Sequence, residues 1–536
     1  MTFTVELVNQ IYPPHPGETP CEYADRLGKE YAKKASSAHK KELGQFFTPV
    51  EIARFMAESV NFYNARVKIL DPGCGMAILS AALAESLILS NPIIASIELV
   101  AFETDTDILP FSEASLNYLR DWLQEKGVRL IYFLCKNDFI LHNSHLLASE
   151  GQNRETYDLI VSNPPYFKLS KDDNRFKATN TLIPGQTNIY TIFMMISAKL
   201  LGTHGKLVFI TPRSFCSGSY FRVFREKFFG LVDIQRIHLF ESRTDAFKKD
   251  KVLQETLIIT GVSKPTTNAN QFSLHLFPIQ HNLIISSSEG IADIGTRNWM
   301  QYPWSELVDM QSEQKIIYLP SKTEDDVVIA KFRTWSETFE SLGIGVSTGK
   351  VVDFRNEELA VVVGETNSVP FIHLHNVHSM QFTWPTVLTP KGKTKPQYFI
   401  KSQSSEKILV DNKNYVLLRR FSSKDDQKKL IAAPFLKSSL PKTKSLAIEN
   451  HLNYIYKING EFSKNETLGV AAILNSELFD RYFRTFNGNI NVSATELRNI
   501  KLPSMVLIEQ IGSEIARLRN LSSKKIDEVV NRHLNT

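Results

Sequence analysis

The sequence predicts an α/β fold built on an open, mostly parallel sheet, followed by a mixed α+β C-terminal domain. Three observations carry that expectation. Strand-length apolar runs alternate with helix-length runs as far as about residue 262. One such run, 67–70, enters the glycine turn Asp71-Pro72-Gly73-Cys74-Gly75 and leaves it as an Ala/Leu-rich helix, the order needed to bring backbone close to a nucleotide-like ligand. Past that region the pattern becomes short strands between turns, with helical runs at 469–483 and 506–526.

Composition sets the outer limits. A chain of 536 residues exceeds one ordinary domain, and 43% hydrophobic with 22% charged residues is a globular balance. The formal charge of +5 is mild for this length but unevenly placed: 401–450 holds eleven Lys/Arg against five Asp/Glu. Cys21, Cys74, Cys135 and Cys216 are widely spaced, so neither a disulfide framework nor a thiolate metal site is expected. The first ten residues lack a basic start followed by an apolar core, and no apolar run reaches the ~18–20 residues of a membrane span. The expectation is a cytoplasmic protein without membrane contact and without a metal.

In chain order, 1–40 is a polar lead-in with a basic helical stretch at 31–41. Gly44-Gln45-Phe46-Phe47-Thr48-Pro49-Val50-Glu51 has the form of a helix start, with Thr48 as cap, Pro49 at the first helical position and Glu51 three residues after the cap. After the glycine turn, Ala77 is small and suits the start of the next helix. A second strand, 94–102, ends in Glu103-Thr104-Asp105, where a carboxylate can accept from both hydroxyls of a ribose; Glu103 is the first choice and Asp105 the alternate. A third strand, 130–135, leads to Asn137-Asp138-Phe139.

The fourth strand, 157–162, stops at Asn163-Pro164-Pro165-Tyr166, because two consecutive prolines cannot continue a ladder. That stop gathers a side-chain oxygen from Asn163, a carbonyl from Pro164 and the flat ring of Tyr166. A planar amino group lying on the ring could donate both of its protons there. A polar loop follows at 168–184, then a helix ending near residue 201 and a fifth strand at 205–212. Strands at 231–239 and 254–260 flank a polar loop that contains Phe247. Asp71, Glu103, Asp138 and Asn163 thus follow the carboxyl ends of successive strands, the edge where open α/β sheets bind ligands.

In this order the motifs resemble the S-adenosylmethionine-dependent amino-methyltransferases of DNA, whose (Asn/Asp/Ser)-Pro-Pro-(Tyr/Phe/Trp) element grips the exocyclic amine of a flipped adenine or cytosine. The succession of cofactor region, catalytic motif and target recognition is the gamma arrangement. The likeness to TaqI-type N6-adenine enzymes of type II restriction-modification systems covers most of the chain. It implies a Rossmann-like methyltransferase domain over 1–262, a linker and bridging segment over 263–330, and a DNA target recognition domain over 331–536. It implies S-adenosylmethionine held by Thr48, Asp71, Gly73, Cys74, Gly75, Glu103, Asp138 and Phe139; Ala77 stands where many relatives have glycine. Asn163, Pro164, Pro165, Tyr166 and Phe247 become the catalytic residues, with Phe247 stacking on the face of the base opposite Tyr166.

The partners implied are double-stranded DNA and a separately encoded restriction endonuclease, with the chain itself a monomer. Basic and aromatic residues interleave at Trp384, Lys391, Lys393, Lys395, Tyr398, Arg419, Arg420 and Lys424, as on a duplex-binding surface. Segments 471–476 and 489–498 resemble the specificity domains of type II adenine enzymes, with Asn and Arg side chains able to contact base edges. Three other readings stand beside this one: an N4-cytosine enzyme, whose motif more often begins with Ser or Asp; a protein glutamine methyltransferase, which shares Asn-Pro-Pro-Tyr but needs no long basic domain; and a non-catalytic DNA-binding specificity protein.

Overall fold

A computed structural model describes residues 3–34, 47–148, 155–180, 183–184, 188–241, 255–264, 282–296, 298–308, 310, 313–386, 395–421, 428–487 and 491–535. The chain divides into two compact units, Met1–Ser321 and Lys322–Thr536.

Among the described residues, the first unit is organised by nine strands: β1 (Arg66–Asp71), β2 (Ser96–Phe102), β3 (Arg129–Cys135), β4 (Tyr157–Ser162), β5 (Leu201–Pro212), β6 (Val232–Phe240), β7 (Thr256–Ser263), β8 (Asn282–Ser288) and β9 (Asn298–Pro303). They lie in the order 3-2-1-4-5-7-6-8-9. β3, β2, β1, β4 and β5 are mutually parallel, and β7 runs antiparallel between β5 and β6. Apolar residues fill both faces, as a sheet covered on both sides requires. Leu70, Ile160, Leu207 and Phe209 face one core, which includes the helix Ile189–Leu200. Their chain neighbours Ile69, Leu159, Val161, Val208 and Ile210 face the other, with the helices Pro20–Lys34, Val50–Glu58 and Ile78–Ser90. Chain order reverses between β1 and β4, which opens a crevice beyond their carboxyl ends.

Two expectations are corrected here. The linker and bridging segment expected over 263–330 is corrected over its described residues: 282–303 supply β8 and β9 to the sheet, and the division falls after Ser321. Leu283 and Ile285 alternate into the core, but the serines at 286–288 hide that alternation in the sequence. The fifth strand also begins earlier than expected, at Leu201, because the preceding helix passes straight into it. A register shift between Tyr157↔Leu201 and Leu159↔Lys206 absorbs the extra residues.

The second unit holds a four-stranded antiparallel sheet (Ile344–Thr348, Leu452–Lys457, Tyr415–Arg419, Ala432–Phe435) and a five-stranded mixed sheet of shorter strands that includes Ser368–Ile372 and Ser445–Ile448. The helical runs at 469–483 and 506–526 each resolve into two helices. Ser476 and Ser522 stop one helix or begin the next by accepting from backbone amides at Phe479 and Lys525. Lys464–Asn475 packs on Met505–Ile515 at glycines: a Cβ on Gly469 would stand 1.9 Å from the Ile508 carbonyl oxygen.

Candidate active site

Beyond the carboxyl ends of β1 to β4 lies a cleft of about 820 Å³ including its solvent-open mouth, lined by Gly73, Gly75, Glu103, Asp138, Phe139, Asn163 and Pro165 among others. Register explains the convergence: Leu70 pairs with Ile160, so the glycine turn and the proline turn leave the sheet side by side. Asp71, at the end of β1, is wholly buried behind the lining. Its Oδ2 accepts from Ser80 Oγ at 2.7 Å, and its Oδ1 has no hydrogen-bonding partner among the described residues. Burial pushes this carboxyl up to about 7, against the opposing pull of the Ser80 hydroxyl and the Gly73 amide.

The glycine turn itself is left-handed at Gly75, with φ +50°. Ala77 does not begin the helix in helical geometry; it caps it in the left-handed region at φ 59°, the position glycine would occupy without strain. Cys74 is buried beside the turn, its thiol pushed far up by burial. The Gly75 amide donates to Glu103 Oε2 at 3.1 Å, while Thr104 and Asp105 amides donate to Oε1 at 2.7 and 2.8 Å. A carboxylate has about four acceptor sites, so Glu103 keeps one further site toward the cleft. Asp105, the alternate, turns toward Tyr31, whose hydroxyl lies 3.5 Å away, and accepts from the Asp107 amide.

Asp138 accepts from the Ile140 and Leu141 amides with Oδ1, capping a short helix, and its Oδ2 stands 3.7 Å from Arg175 Nη1. Phe139 packs edge-on to Phe102 at 5.3 Å and against Phe193 at 5.0 Å.

Asn163 sits at the proline stop with both ends of its amide held. Nδ2 donates to Thr48 Oγ1 at 3.0 Å, and Oδ1 lies 2.7 Å from the Tyr166 hydroxyl. That hydroxyl is also 2.8 Å from the Ile210 carbonyl oxygen. Burial keeps the Tyr166 phenol neutral by raising it well above its ordinary range. Thr48 is therefore not the helix cap expected of it: Val50–Glu58 begins at Pro49 without a side-chain capping bond, and the Thr48 hydroxyl serves Asn163 instead.

The Eco57I restriction-modification methylase family matches residues 93–247, which span β2 to the proline turn and beyond. The type II methyltransferase M.BsuBI of Bacillus subtilis is 32% identical over 498 residues, covering 91% of this chain and 93% of its own length. The chain belongs to the type II methyltransferases. M.PstI of Providencia stuartii is 28% identical, over 92% of this chain and 93% of its own. Among solved structures, the DrdV–DNA complex covers 92% of this type II methyltransferase and 59% of its own chain, at 14% identity and a TM-score of 0.48. The type IIG restriction endonuclease BpuSI covers 96% and 68% respectively, at 12% identity and 0.42.

Sequence reasoning missed several residues of this methyltransferase's cleft: Phe47, Phe167, Arg175 and Phe193 line it beside Gly73, Gly75, Glu103, Asp138, Phe139, Asn163 and Pro165, whereas Thr48, Asp71, Cys74, Pro164 and Tyr166 stand behind or beside the lining. Phe47 was legible as the neighbour of Thr48. Arg175, from the polar loop, carried no signal; it pairs with Asp173 at 2.6 Å and stands 5.4 Å over the Phe167 ring. Tyr190 is core, its hydroxyl 2.9 Å from Ser214 Oγ. Phe247 lies outside the described residues, as do Lys391, Lys393 and Lys424. Of the basic residues expected on a DNA surface, Arg419 donates to the Val377 carbonyl, Arg420 to that of Asn450, and Lys395 pairs with Asp353. Asn475 is buried and bonds the backbone of Ala432 and Ala471, and Arg498 donates to the Val346 carbonyl. Each of these side chains makes a contact within the second unit, to backbone or, for Lys395, to a carboxylate.

Proposed function

We propose that the chain methylates N6 of adenine at a specific site in double-stranded DNA, taking the methyl group from S-adenosylmethionine, as the modification enzyme of a type II restriction-modification system whose endonuclease is separately encoded. The observation that carries this reading is the Asn163 amide, held at both ends and opening on the same cleft as the glycine turn. The residues present fit the cofactor. Asp71 Oδ1 is a buried acceptor with no donor, suited to an ammonium group directly or through the turn. Glu103 retains acceptor capacity for a ribose hydroxyl, and Phe139 offers a flat apolar wall for a purine. When bound, the cofactor supplies a methyl group on a sulfonium, an electrophile that needs only an aligned nucleophile.

The chain's work is on the amine. The N6 lone pair of adenine is delocalised into the ring. Hydrogen bonds from the amine to Asn163 and to the Pro164 carbonyl favour a pyramidal nitrogen and concentrate its electron density. Pro164 and Pro165 hold those acceptors in one geometry, so alignment supplies much of the rate. The proton leaves after the nitrogen has become positively charged, so no strong base is required. A base inside a duplex cannot reach this turn; it must flip out, with Tyr166 and Phe247 stacking on it to offset the lost base stacking.

The test is direct. The purified chain is incubated with duplex DNA and tritiated S-adenosylmethionine, and the product is sequenced for modified bases. N6-methyladenine at one recurring sequence is expected. In Asn163→Ala, DNA binding persists while transfer falls by about two orders of magnitude or more, the scale of losing one preorganised hydrogen-bonding group. N4-methylcytosine in the product would move the target to cytosine, and near-normal turnover in Asn163→Ala would remove the proline turn from catalysis.

A further inference from the structure

A cluster in the second unit takes no part in methyl transfer as proposed above: Asp353, His373 and Glu449, one donor atom from each lying within 4.8 Å of the others. Topology brings them together. The strands Ser368–Ile372 and Ser445–Ile448 pair in parallel, Ile372 beside Ile448, so His373 and Glu449 leave their strands side by side. Val351 bridges to Glu449 and sets the turn Asp353–Arg355 next to them.

The hydrogen bonds of His373 leave its other ring nitrogen with a problem. The ring is wholly buried, and Nε2 lies 2.8 Å from the Pro396 carbonyl oxygen. A carbonyl only accepts, so Nε2 carries the proton. Nδ1 makes no hydrogen bond to any of the described residues and stands 3.6 Å from Glu449 Oε2. Asp353 Oδ1 is likewise buried without a partner. A nitrogen lone pair and carboxylate oxygens facing one another away from water repel unless a cation lies between them.

Lys395 Nζ already neutralises Asp353 through Oδ2, so two further cations are candidates for the space between Nδ1, Oε2 and Oδ1, a proton and a metal ion. A proton on Nδ1 would make an ion pair with Oε2 at 3.6 Å, longer than a hydrogen bond, and would still leave Asp353 Oδ1 unsatisfied. A zinc-like ion bonds N and O donors at roughly 2.0–2.1 Å in a tetrahedral array, which spaces them about 3.3 Å apart, close to the His373–Glu449 separation. Asp353, on a short turn and partly exposed, needs only a small shift to join. The outer contacts fit ligand roles. His451 Nδ1 holds Glu449 Oε1 at 2.9 Å, the Leu374 amide donates to Oε2 at 2.9 Å, and Lys395 Nζ holds Asp353 Oδ2 at 2.7 Å, leaving Oδ1 open. We propose that Asp353, His373 and Glu449 bind one divalent transition-metal ion of the zinc class, which ties the two parallel strands to the 353–355 turn, with water in a fourth position.

The untagged full-length chain, stripped with chelator, is incubated with Zn²⁺ or Co²⁺, desalted, and assayed for metal by elemental mass spectrometry. About one ion per chain is expected, with a melting temperature raised by metal and a visible ligand-field absorption for Co²⁺. Asp353→Ala changes a partly exposed residue and keeps the fold by circular dichroism. It weakens retention by more than the roughly 10–100-fold that loss of an outer-shell partner costs, and His373→Gln abolishes it. The proposal is overturned if the wild-type chain retains no metal, or if either folded variant retains as much as wild type. Should His373→Gln fail to fold, Asp353→Ala alone decides.

Discussion

Thr48 carries the sharpest single-residue consequence, because two roles for it make different predictions. As a cofactor contact, its loss would raise KM for S-adenosylmethionine. As the anchor of the Asn163 amide at 3.0 Å, its loss leaves a polar group unsatisfied, which costs about 1–3 kcal/mol, and the damage falls on the amine-binding geometry. We predict that Thr48→Val lowers kcat about 10-fold or more with KM for the cofactor little changed, and that Thr48→Ser, which keeps the hydroxyl, restores most of it. A rise in cofactor KM at unchanged kcat, in steady-state kinetics, would assign Thr48 to the cofactor instead. Sequence could show that Thr48 stands ahead of the glycine turn; it could not show that a residue 115 positions away competes for its hydroxyl. The same limit applies to Arg175 and Phe193, whose place in the cleft depends on long-range packing. What was legible is that Asp71, Glu103, Asp138 and Asn163 stand at or just past the carboxyl ends of successive strands, because each follows its own strand in the chain.

Among elements, those with local grammar were read and those set by neighbours were not. A strand, a glycine turn and an apolar helix follow one another with every signal inside some twenty residues, and β1 with the helix Ile78–Ser90 is where the sequence placed it. The helix pairs broken at Ser476 and Ser522 escaped because apolar periodicity runs across both caps. β8 escaped because its serines bond inward: Ser286 and Ser288 hold both nitrogens of the buried His238 ring, at 2.8 and 3.0 Å. Ala77 shows local geometry disagreeing with local propensity. A left-handed alanine carries roughly 1–2 kcal/mol of strain, while glycine costs about 0.4–1 kcal/mol through the freer unfolded chain. Ala77→Gly is therefore expected to be neutral or stabilising by up to about 1.5 kcal/mol, measured by urea denaturation. A loss of more than that would mean the buried methyl group contributes packing that outweighs the strain.

For the whole molecule, the division after Ser321 rests on a helix that the sequence assigned partly to a linker. Placing the boundary at residue 331 cuts through Thr323–Arg333, whose side chains belong to the second unit's core. Phe332 stacks on Tyr482 with centroids 3.6 Å apart and planes 4° from parallel, and Arg481 Nε donates to Asp325 Oδ1 at 2.8 Å. Phe332 and Phe479 are fully buried, so this helix completes the packing of Glu477–Phe486. Acidic residues at 324–326 and basic ones at 331 and 333 also complement the helix dipole at its two ends. A fragment covering 322–536 is therefore expected to unfold in one cooperative transition. A fragment beginning at Thr334 lacks Phe332 and leaves its pocket open, a change of the kind that costs about 3–5 kcal/mol for a single Phe→Ala. It should melt well below the longer fragment or fail to fold. Equal melting temperatures for the two would show that the helix contributes nothing to the unit it packs on.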